Sequence, residues 1–313
     1  MIHKNSITVG FRPDGSQIKI PLIKIKGKST EPKIFIGASI HGNELTGQVS
    51  IWRLIDYLKD REVKGELTII PTMNPEGFNY NVRGIPSGAP DLNRLYPGDP
   101  KGSLAERIVA KIWEIAKKHE FIIDMHTAGN CIPFILLDPA PPELRRRIEE
   151  IAYASEITVL DEFPPEKYER IGLAKSLPAV AVKEGIPAFT VELPGFRGVN
   201  IAGAKAGFIA LKNMLVKLEI IEDSFEKINF IPVIREKGYR RETVYAEKPG
   251  LLEYVKELGD KVYKGEVIAR VRNVFGEVIE EIKSPWNGYI ISLNPTSTVG
   301  TGGYVASMAI KIA

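Results

Sequence analysis

Cysteine is nearly missing from this 313-residue chain. Cys131 stands alone, which excludes an internal disulfide and any cysteine-rich metal site. Long apolar runs are missing too. No segment approaches the roughly 18 apolar residues of a membrane span, and the N-terminal MIHKNSITVG has no apolar core of a signal peptide. Nor is there an excess of one charge: 42 basic side chains face 39 acidic ones, for a net +3. A nucleic-acid site needs clustered Lys and Arg, so the expectation is a cytoplasmic protein with neither nucleic-acid nor membrane partner. Only two glutamines occur, Gln17 and Gln48, a shortage that suits a heat-adapted source and bears on stability rather than function.

What is present reads as a globular chain, with 44% hydrophobic and 26% charged residues. Its length exceeds what one compact core needs and suggests a large domain with a smaller one. Strand-like and helical patterns alternate over residues 33–218. Lys33–Ile40, Leu67–Pro71, Phe121–Met125, Phe134–Leu137 and Ala188–Glu192 read as buried strands. Helical spacing marks Gly47–Lys59, Glu143–Ala154, Ala174–Glu184 and Ile201–Leu218. Ser103–His119 is amphipathic, with Ser103 as N-cap and Glu106 completing a capping box. The alternation predicts an α/β fold with a central parallel or mixed sheet, whose strand ends offer a crevice for a site. The stretch from Asn74 to Gly102, rich in Gly, Pro and Asn, has the length of a functional loop. After about residue 230 short β-type runs broken by turn signals predict a small all-β barrel or sandwich. The boundary is placed at 1–232 and 233–313.

Four histidines limit the choice of metal ligands: His3, His41, His119 and His126. His41 and Glu44 lie three residues apart where a strand gives way to a helix, and Gly42 between them lets the backbone bend sharply. Zinc accepts imidazole and carboxylate, and three protein ligands with one open position define a catalytic site. His126 closes a buried strand at the same kind of strand end, whereas His3 and His119 read as surface or cap residues. Alone, either His41 or His126 reads as structural; together with Glu44 at the ends of one sheet they read as ligands.

Five motifs then follow in order: His41-Gly42-Asn43-Glu44, Asn74-Pro75-Glu76-Gly77-Phe78, Asp91-Leu92-Asn93-Arg94, Asp124-Met125-His126-Thr127 and Thr190-Val191-Glu192-Leu193. Over residues 33–218 the chain resembles the zinc carboxypeptidase superfamily, and most closely its succinylglutamate desuccinylase/aspartoacylase branch. The resemblance implies a zinc-carboxypeptidase-like mixed sheet flanked by helices and one Zn²⁺ per chain, held by His41, Glu44 and His126. It makes Glu192 the general base and acid, taking a proton from the water and giving it to the leaving amine. Read without it, Glu192 is an ionised strand residue paired with an arginine. Asn93 and Arg94 match the pair that grips a substrate carboxylate. Arg83 corresponds to the arginine that stabilises the oxyanion; the wider Arg83–Arg94 spacing makes Gly84–Pro90 a small insertion. Asp91 resembles the carboxylate that orients the first zinc histidine, and Asp124, two residues before His126, is an alternative that the sequence does not separate from it. Arg197, Tyr168 and Arg170 are candidates for the acyl pocket.

The C-terminal turns, Pro249-Gly250, Leu258–Glu266 and Ser284–Gly288, resemble a biotinyl/lipoyl hammerhead. Its hairpin, Arg272-Asn273-Val274-Phe275-Gly276-Glu277, carries no lysine, which argues against a carrier role and for a wall that restricts the substrate or supports a dimer. The resemblance as a whole implies hydrolysis of an N-acyl amino acid or related small acylated amine, a small-molecule substrate, with a homo-oligomer compatible. A metallocarboxypeptidase acting on peptide C-termini uses the same zinc, Glu192 and Arg94 and is the alternative. A non-catalytic relative is disfavoured because ligands and base are all present.

Overall fold

The computed structural model describes residues 1–86, 88–196 and 198–312. An N-terminal hairpin, β1 (Ile2–Phe11) and β2 (Gln17–Lys26), leads into β3 (Lys33–Ala38), α1 (Thr46–Leu58), β4 (Glu66–Ile70) and α2 (Pro75–Tyr80). After a loop holding one 3-10 turn at Leu92–Arg94 come α3 (Leu104–Ala116), β5 (Phe121–Thr127), β6 (Asn130–Cys131) and β7 (Phe134–Leu137). Then follow α4 (Pro142–Ala154), β8 (Thr158–Asp161), α5 (Pro165–Arg170), α6 (Leu177–Lys183), β9 (Ala188–Leu193) and α7 (Ile201–Lys217). The rest is β: β10 (Tyr239–Tyr245), β11 (Gly250–Tyr254), β12 (Lys261–Val262), β13 (Val267–Arg272), β14 (Val278–Lys283), β15 (Gly288–Leu293), β16 (Thr298–Val299) and β17 (Tyr304–Lys311).

The strands of the α/β part assemble in the order β1-β2-β4-β3-β5-β9-β7-β8. β4, β3, β5 and β9 run parallel, while β2 and β7 join antiparallel at either side. The parallel strands are buried along nearly their whole length, as a sheet covered by helices on its faces requires. The mixed α/β fold expected from the alternation is therefore present. From β3 the chain pairs onward to β4 on one side, and then to β5 on the other. Such a reversal opens a crevice at the carboxyl ends of the strands.

α1, α3, α4 and α7 lie close to the expected helices, α6 begins at Leu177 rather than Ala174, and α2 and α5 lie outside the expected set. The capping box at Ser103 forms: Glu106 N donates to Ser103 Oγ at 3.4 Å, and Ser103 N donates to Glu106 Oε2 at 2.8 Å. α7 is buried on almost every side and packs against α1 and α4. Its small residues permit this, since a Cβ on Gly207 would sit 2.4 Å from Ser50 Oγ on α1. The hairpin β1–β2 extends the sheet beyond the region read from the sequence. It also braces α2, where Arg12 Nη2 donates to Glu76 Oε1 at 2.5 Å.

The C-terminal strands form two layers. β14-β13-β11-β16 make one sheet, and β10-β17-β15-β12 continue the central sheet through the parallel pairing of Arg240 with Asp161 on β8. Between them lies an apolar core that includes Val244, Leu252, Val271, Ile290 and Met308. β6 adds a second tie, with Cys131 paired to Ser292 on β15. Arg241 on β10 thereby reaches the strand-end crevice. Among the described residues no helix is long and apolar enough to cross a membrane.

Candidate metal centre and active-site cavity

β3 ends at Ala38, and the next residue, Ser39, takes a left-handed conformation with φ 55°, an uncommon one for a residue with a side chain. Three contacts hold it there. Asn74 N donates to Ser39 O at 3.0 Å, Met73 N donates to Ala38 O at 2.9 Å, and Ser39 Oγ donates to Glu44 O at 2.9 Å. Glu44 N closes the turn onto His41 O at 3.0 Å. His41 and Glu44 consequently project to the same side. Gly42 has a different reason from the expected sharp bend: its φ is not among the positive ones. A Cβ there would lie 1.9 Å from Gly77 C, at the start of α2. Close approach of two backbones makes the glycine necessary.

The loop beginning at Asn74 is a support. Asn74 Oδ1 accepts from Gly77 N at 2.8 Å and caps α2, while its Nδ2 donates to Gly84 O at 3.2 Å. Gly42 N donates to Arg83 O at 3.1 Å. The His41 turn, α2 and the Arg83 segment are thus one hydrogen-bonded unit.

His41, Glu44 and His126 converge, with one candidate ligand atom from each within 4.8 Å of the others. His41 Nδ1 lies 2.8 Å from Glu44 Oε1, and His126 Nδ1 lies 2.9 Å from Glu44 Oε2. Thr127 N also donates to Glu44 Oε2, at 3.1 Å. The far nitrogens are held as well: His41 Nε2 is 3.0 Å from Asp91 Oδ1, and His126 Nε2 is 3.0 Å from Asp124 Oδ2. The sequence left Asp91 and Asp124 as alternatives; the structure uses both, one per ring. Both nitrogens of each ring face carboxylate oxygens, an environment that calls for positive charge on the Nδ1 side. Two imidazoles and a carboxylate, each ring fixed from behind by an acid, are a donor set suited to zinc.

The electrostatics follow the same logic. Burial opposes the charged form of Glu44, but the nearby His41 and His126 outweigh it and hold the carboxyl well below its usual range. Burial likewise opposes protonation of His126, yet Asp124 and Glu44 raise its pKa well above the ordinary value. Asp91 is partly buried, which opposes its charged form, but bonding to His41 and Arg83 lowers its pKa. His119 and His3 lie apart. His119 is buried behind α3, its Nδ1 3.0 Å from Ile115 O and its ring edge-on to Phe35, so it is structural core rather than surface. His3 is exposed on β1.

A cavity of about 310 Å³ opens over this cluster, lined among others by Arg83, Asn93, Arg94, Thr127, Glu192 and Arg241. Glu192 stands beside His126 in parallel register on β9 and β5. Among the described residues its carboxylate has no hydrogen-bond or ion-pair partner. Burial is the main cause that pushes its pKa up to about 7, with Glu44 adding to it against the opposing charges of His126 and Arg241. Arg83 bridges two acids, donating to Glu44 Oε1 at 3.0 Å and Asp91 Oδ2 at 2.8 Å. Arg94 donates only to backbone carbonyls, Ile171 O and Asn93 O, both at 2.9 Å. No carboxylate among the described residues comes within ion-pair distance of it. Asn93 lines the cavity while its Oδ1 accepts from Leu177 N at 3.2 Å, at the start of α6.

Of the acyl-pocket candidates, Tyr168 donates to Asp138 Oδ1 at 2.6 Å and Arg170 is exposed; neither lines the cavity. Arg197 lies outside the described residues. The wall holds two residues that the sequence reading did not single out, Glu162 and Arg241. Both fall outside the five motifs, and Arg241 lies beyond the region they span. Only the tertiary pairing of β10 with β8 places it here.

Comparison with known proteins agrees with this arrangement. Residues 30–205 match the succinylglutamate desuccinylase/aspartoacylase catalytic domain. The chain is 26% identical over 339 aligned positions to the N-alpha-acetyl-L-2,4-diaminobutyric acid deacetylase of Halomonas elongata, covering 97% of this chain and 94% of that protein. Among solved structures it is similar in fold to a succinylglutamate desuccinylase/aspartoacylase of Rhodobacter sphaeroides, with TM-score 0.85, 23% identity and coverage of 99% and 96%. It also resembles the ectoine utilization protein EutE (DoeB) of Ruegeria pomeroyi, with TM-score 0.84, 21% identity and coverage of 99% and 95%. A metallo-carboxypeptidase of Burkholderia cenocepacia shares the fold over 69% of this chain and 65% of its own, with TM-score 0.53 and 17% identity. With more than half its length matched by the family's catalytic domain, and with that domain's fold around a His-Glu-His cluster, this chain belongs to the succinylglutamate desuccinylase/aspartoacylase family.

Proposed function

We propose that the chain hydrolyses the amide bond of an N-acyl amino acid, using a zinc ion held by His41, Glu44 and His126. The observation that carries this reading is the composition of one cavity: the His-Glu-His cluster, with a Glu192 that has no partner and an Arg94 that has no carboxylate among the described residues, surrounds the same space. Bound there, zinc would supply Lewis acidity, activating water near neutral pH and polarising a carbonyl. Glu192 takes a proton from the attacking water and delivers it to the departing amine nitrogen. A carboxylate whose pKa has been pushed up to about 7 is suited to both halves of that transfer near neutral pH. Arg94 binds the substrate carboxylate with the donors that its backbone contacts leave free, and Asn93 fixes the turn that presents it. Arg83 neutralises the oxyanion of the tetrahedral intermediate. Asp91 and Asp124 hold the two rings by Nε2, which leaves both Nδ1 atoms turned towards Glu44, the set that would hold the ion.

The relative from Halomonas elongata is a deacetylase of an N-acetylated diamino acid, which supports a small N-acyl amino acid as the substrate class here. One residue of the C-terminal strands, Arg241, lines the cavity of about 310 Å³, a space on the scale of such a compound. We read residues 1–232 as the catalytic unit and 233–313 as an appended unit that narrows the site. The test is a hydrolysis screen of zinc-loaded protein, with chelated protein as control. N-Acetyl-L-2,4-diaminobutyrate, N-acetyl-L-aspartate, N-succinyl-L-glutamate and short peptides form the panel. Metal-dependent release of amine from the acylated amino acids is expected. Turnover of peptides alone would replace the reading with a carboxypeptidase, and turnover unaffected by chelation would reject the metal.

A further inference from the structure

Among the described residues three arginines line the cavity, and they are not equally engaged. Arg83 is held by two acids at 3.0 and 2.8 Å. Arg94 meets only backbone carbonyls. Arg241, on β10, has Glu162 as its one acidic partner among the described residues, with Nη2 donating to Oε2 at 2.5 Å. Its guanidinium lies 4.0 Å over the Phe163 ring, and its buried Nε has no acceptor among the described residues.

A simple strut between β10 and the end of β8 would not need this geometry. Glu162 Oε2 already accepts from Phe163 N at 3.2 Å, so Glu162 is anchored locally. The Arg241 side chain is only 17% exposed, and a buried donor without an acceptor lowers stability. Arg94 and Arg241 also carry like charges around one small space, and the field of Arg241 is among those that weaken protonation of Arg94. Among the described residues Arg94 has no carboxylate within ion-pair distance, and Glu162 engages only one nitrogen of Arg241, so both guanidinium groups keep donors for an anion that enters the cavity.

We infer that Arg241 is a substrate-binding residue that works with Arg94 to hold a carboxylate of the substrate, so that the C-terminal strands complete the active site. The inference rests on the N-acyl amino acid reading above and adds a specificity residue from outside the matched catalytic region. Guanidinium groups suit the task because their planar fork pairs with both oxygens of a carboxylate.

The experiment compares wild type, Arg241→Gln, Arg241→Lys and Glu162→Gln. Each is tested on N-acetyl-L-2,4-diaminobutyrate, N-acetyl-L-aspartate and N-succinyl-L-glutamate, as free acids and as α-carboxamides. Arg241→Gln should raise KM for the free acids at least tenfold while kcat changes less than threefold, and should leave the amides nearly unaffected. Arg241→Lys should recover part of the loss. Glu162→Gln, which removes the ion pair but keeps the guanidinium, should keep the preference for free acids. Equal losses on acids and amides, or a Glu162→Gln variant that loses the preference as fully as Arg241→Gln, would make the pair a strut and overturn the inference. Equilibrium titration of chelated protein with the same compounds gives a second readout. Wild type should bind free acids more tightly than amides, and Arg241→Gln should lose that difference. If none of the compounds is hydrolysed, the function reading fails by itself, while the titration still decides the role of Arg241: no preference in the wild type rejects it.

Discussion

Glu192 and His126 lie opposite each other in the parallel register of β9 and β5. One side chain of the pair belongs to the His-Glu-His cluster, and the other ends in a carboxylate without a partner among the described residues. The sheet itself therefore sets the spacing between proposed ligand and proposed base, with no loop involved. Replacing Glu192 by Gln keeps the shape and removes the proton acceptor. The expected result is retained metal with kcat reduced by about 10²–10⁴, the usual worth of a positioned general base. Turnover and metal content of the purified variant check it together. Activity near that of wild type would reject the assignment.

Asp124 is fully buried on the same strand face as His126, and its Oδ2 fixes the ring from 3.0 Å. Asn at this position leaves an acceptor but removes the charge that favours the ring. Loss of such a partner costs roughly 10–100-fold in metal affinity, and competition with a chromophoric chelator measures it. An unchanged affinity would mean that the ring is held by packing alone.

Much of this site was legible in the sequence because it is built from short runs at strand ends. Buried strands such as Phe121–Thr127 and Ala188–Leu193 announce themselves by apolar content, and polar residues within them stand out: Asp124, His126 and Glu192. The scarcity of histidine reduced the ligand choice further. The N-terminal hairpin was less legible. Along β2 the buried positions are Ile18 and Ile20, then Ile23 and Ile25, so the alternation slips by one residue at Pro21-Leu22 and the strand period is broken. Arg241 could not be assigned from local pattern at all. Its place depends on β10 joining β8 across about 80 residues of chain, and such long-range pairing leaves no mark in a sequence window. The reason for Gly42 was misread for a related cause: the conflict lies with Gly77, in another element.

Arg94 should separate substrates by charge. Its Nε and Nη1 are fixed to backbone carbonyls, so the group is oriented before any ligand arrives. Hydrogen bonds to charged groups are worth about 1.5–3 kcal/mol, or roughly 10–150-fold. Arg94→Ala should raise KM for free-acid substrates by about that factor and affect carboxamides little. Circular dichroism must show an unchanged fold, since the side chain also ties Ile171 to the 3-10 turn. Equal effects on both substrate classes would remove the carboxylate clamp.

Metal uptake should depend on pH through the same carboxylates that organise the rings. Asp124 and Glu44 raise the His126 pKa well above its ordinary value, and an imidazole must shed a proton from the nitrogen that binds an ion. Protons therefore compete with the metal more strongly than at an isolated histidine, and the competition grows as pH falls. Zinc titrations should show weaker binding at about pH 6 than at about pH 8, with protons released on uptake. Asp124→Asn, in lowering the His126 pKa, should flatten that dependence even as it weakens binding. Affinity independent of pH would contradict the ring assignment.

Asp138 offers a test of stability that does not involve the metal. It is buried, and burial with the nearby Glu162 pushes its pKa from an ordinary 3.8 up to about 7, although Tyr168 donates to it and opposes the shift. A carboxyl with a raised folded-state pKa binds its proton more tightly in the native state than in the unfolded chain. Its contribution to stability is greatest below the unfolded value and is lost as pH rises through the interval from about 4 to about 7, with no further change above. The loss is on the order of a few kcal/mol. Asp138→Asn keeps an oxygen for the Tyr168 hydroxyl and removes the titration. Denaturant unfolding across that interval should show wild-type stability falling with pH and the variant falling less, the two curves diverging most near neutrality in favour of the variant. Parallel curves would mean that Asp138 ionises in the folded protein as it does in water.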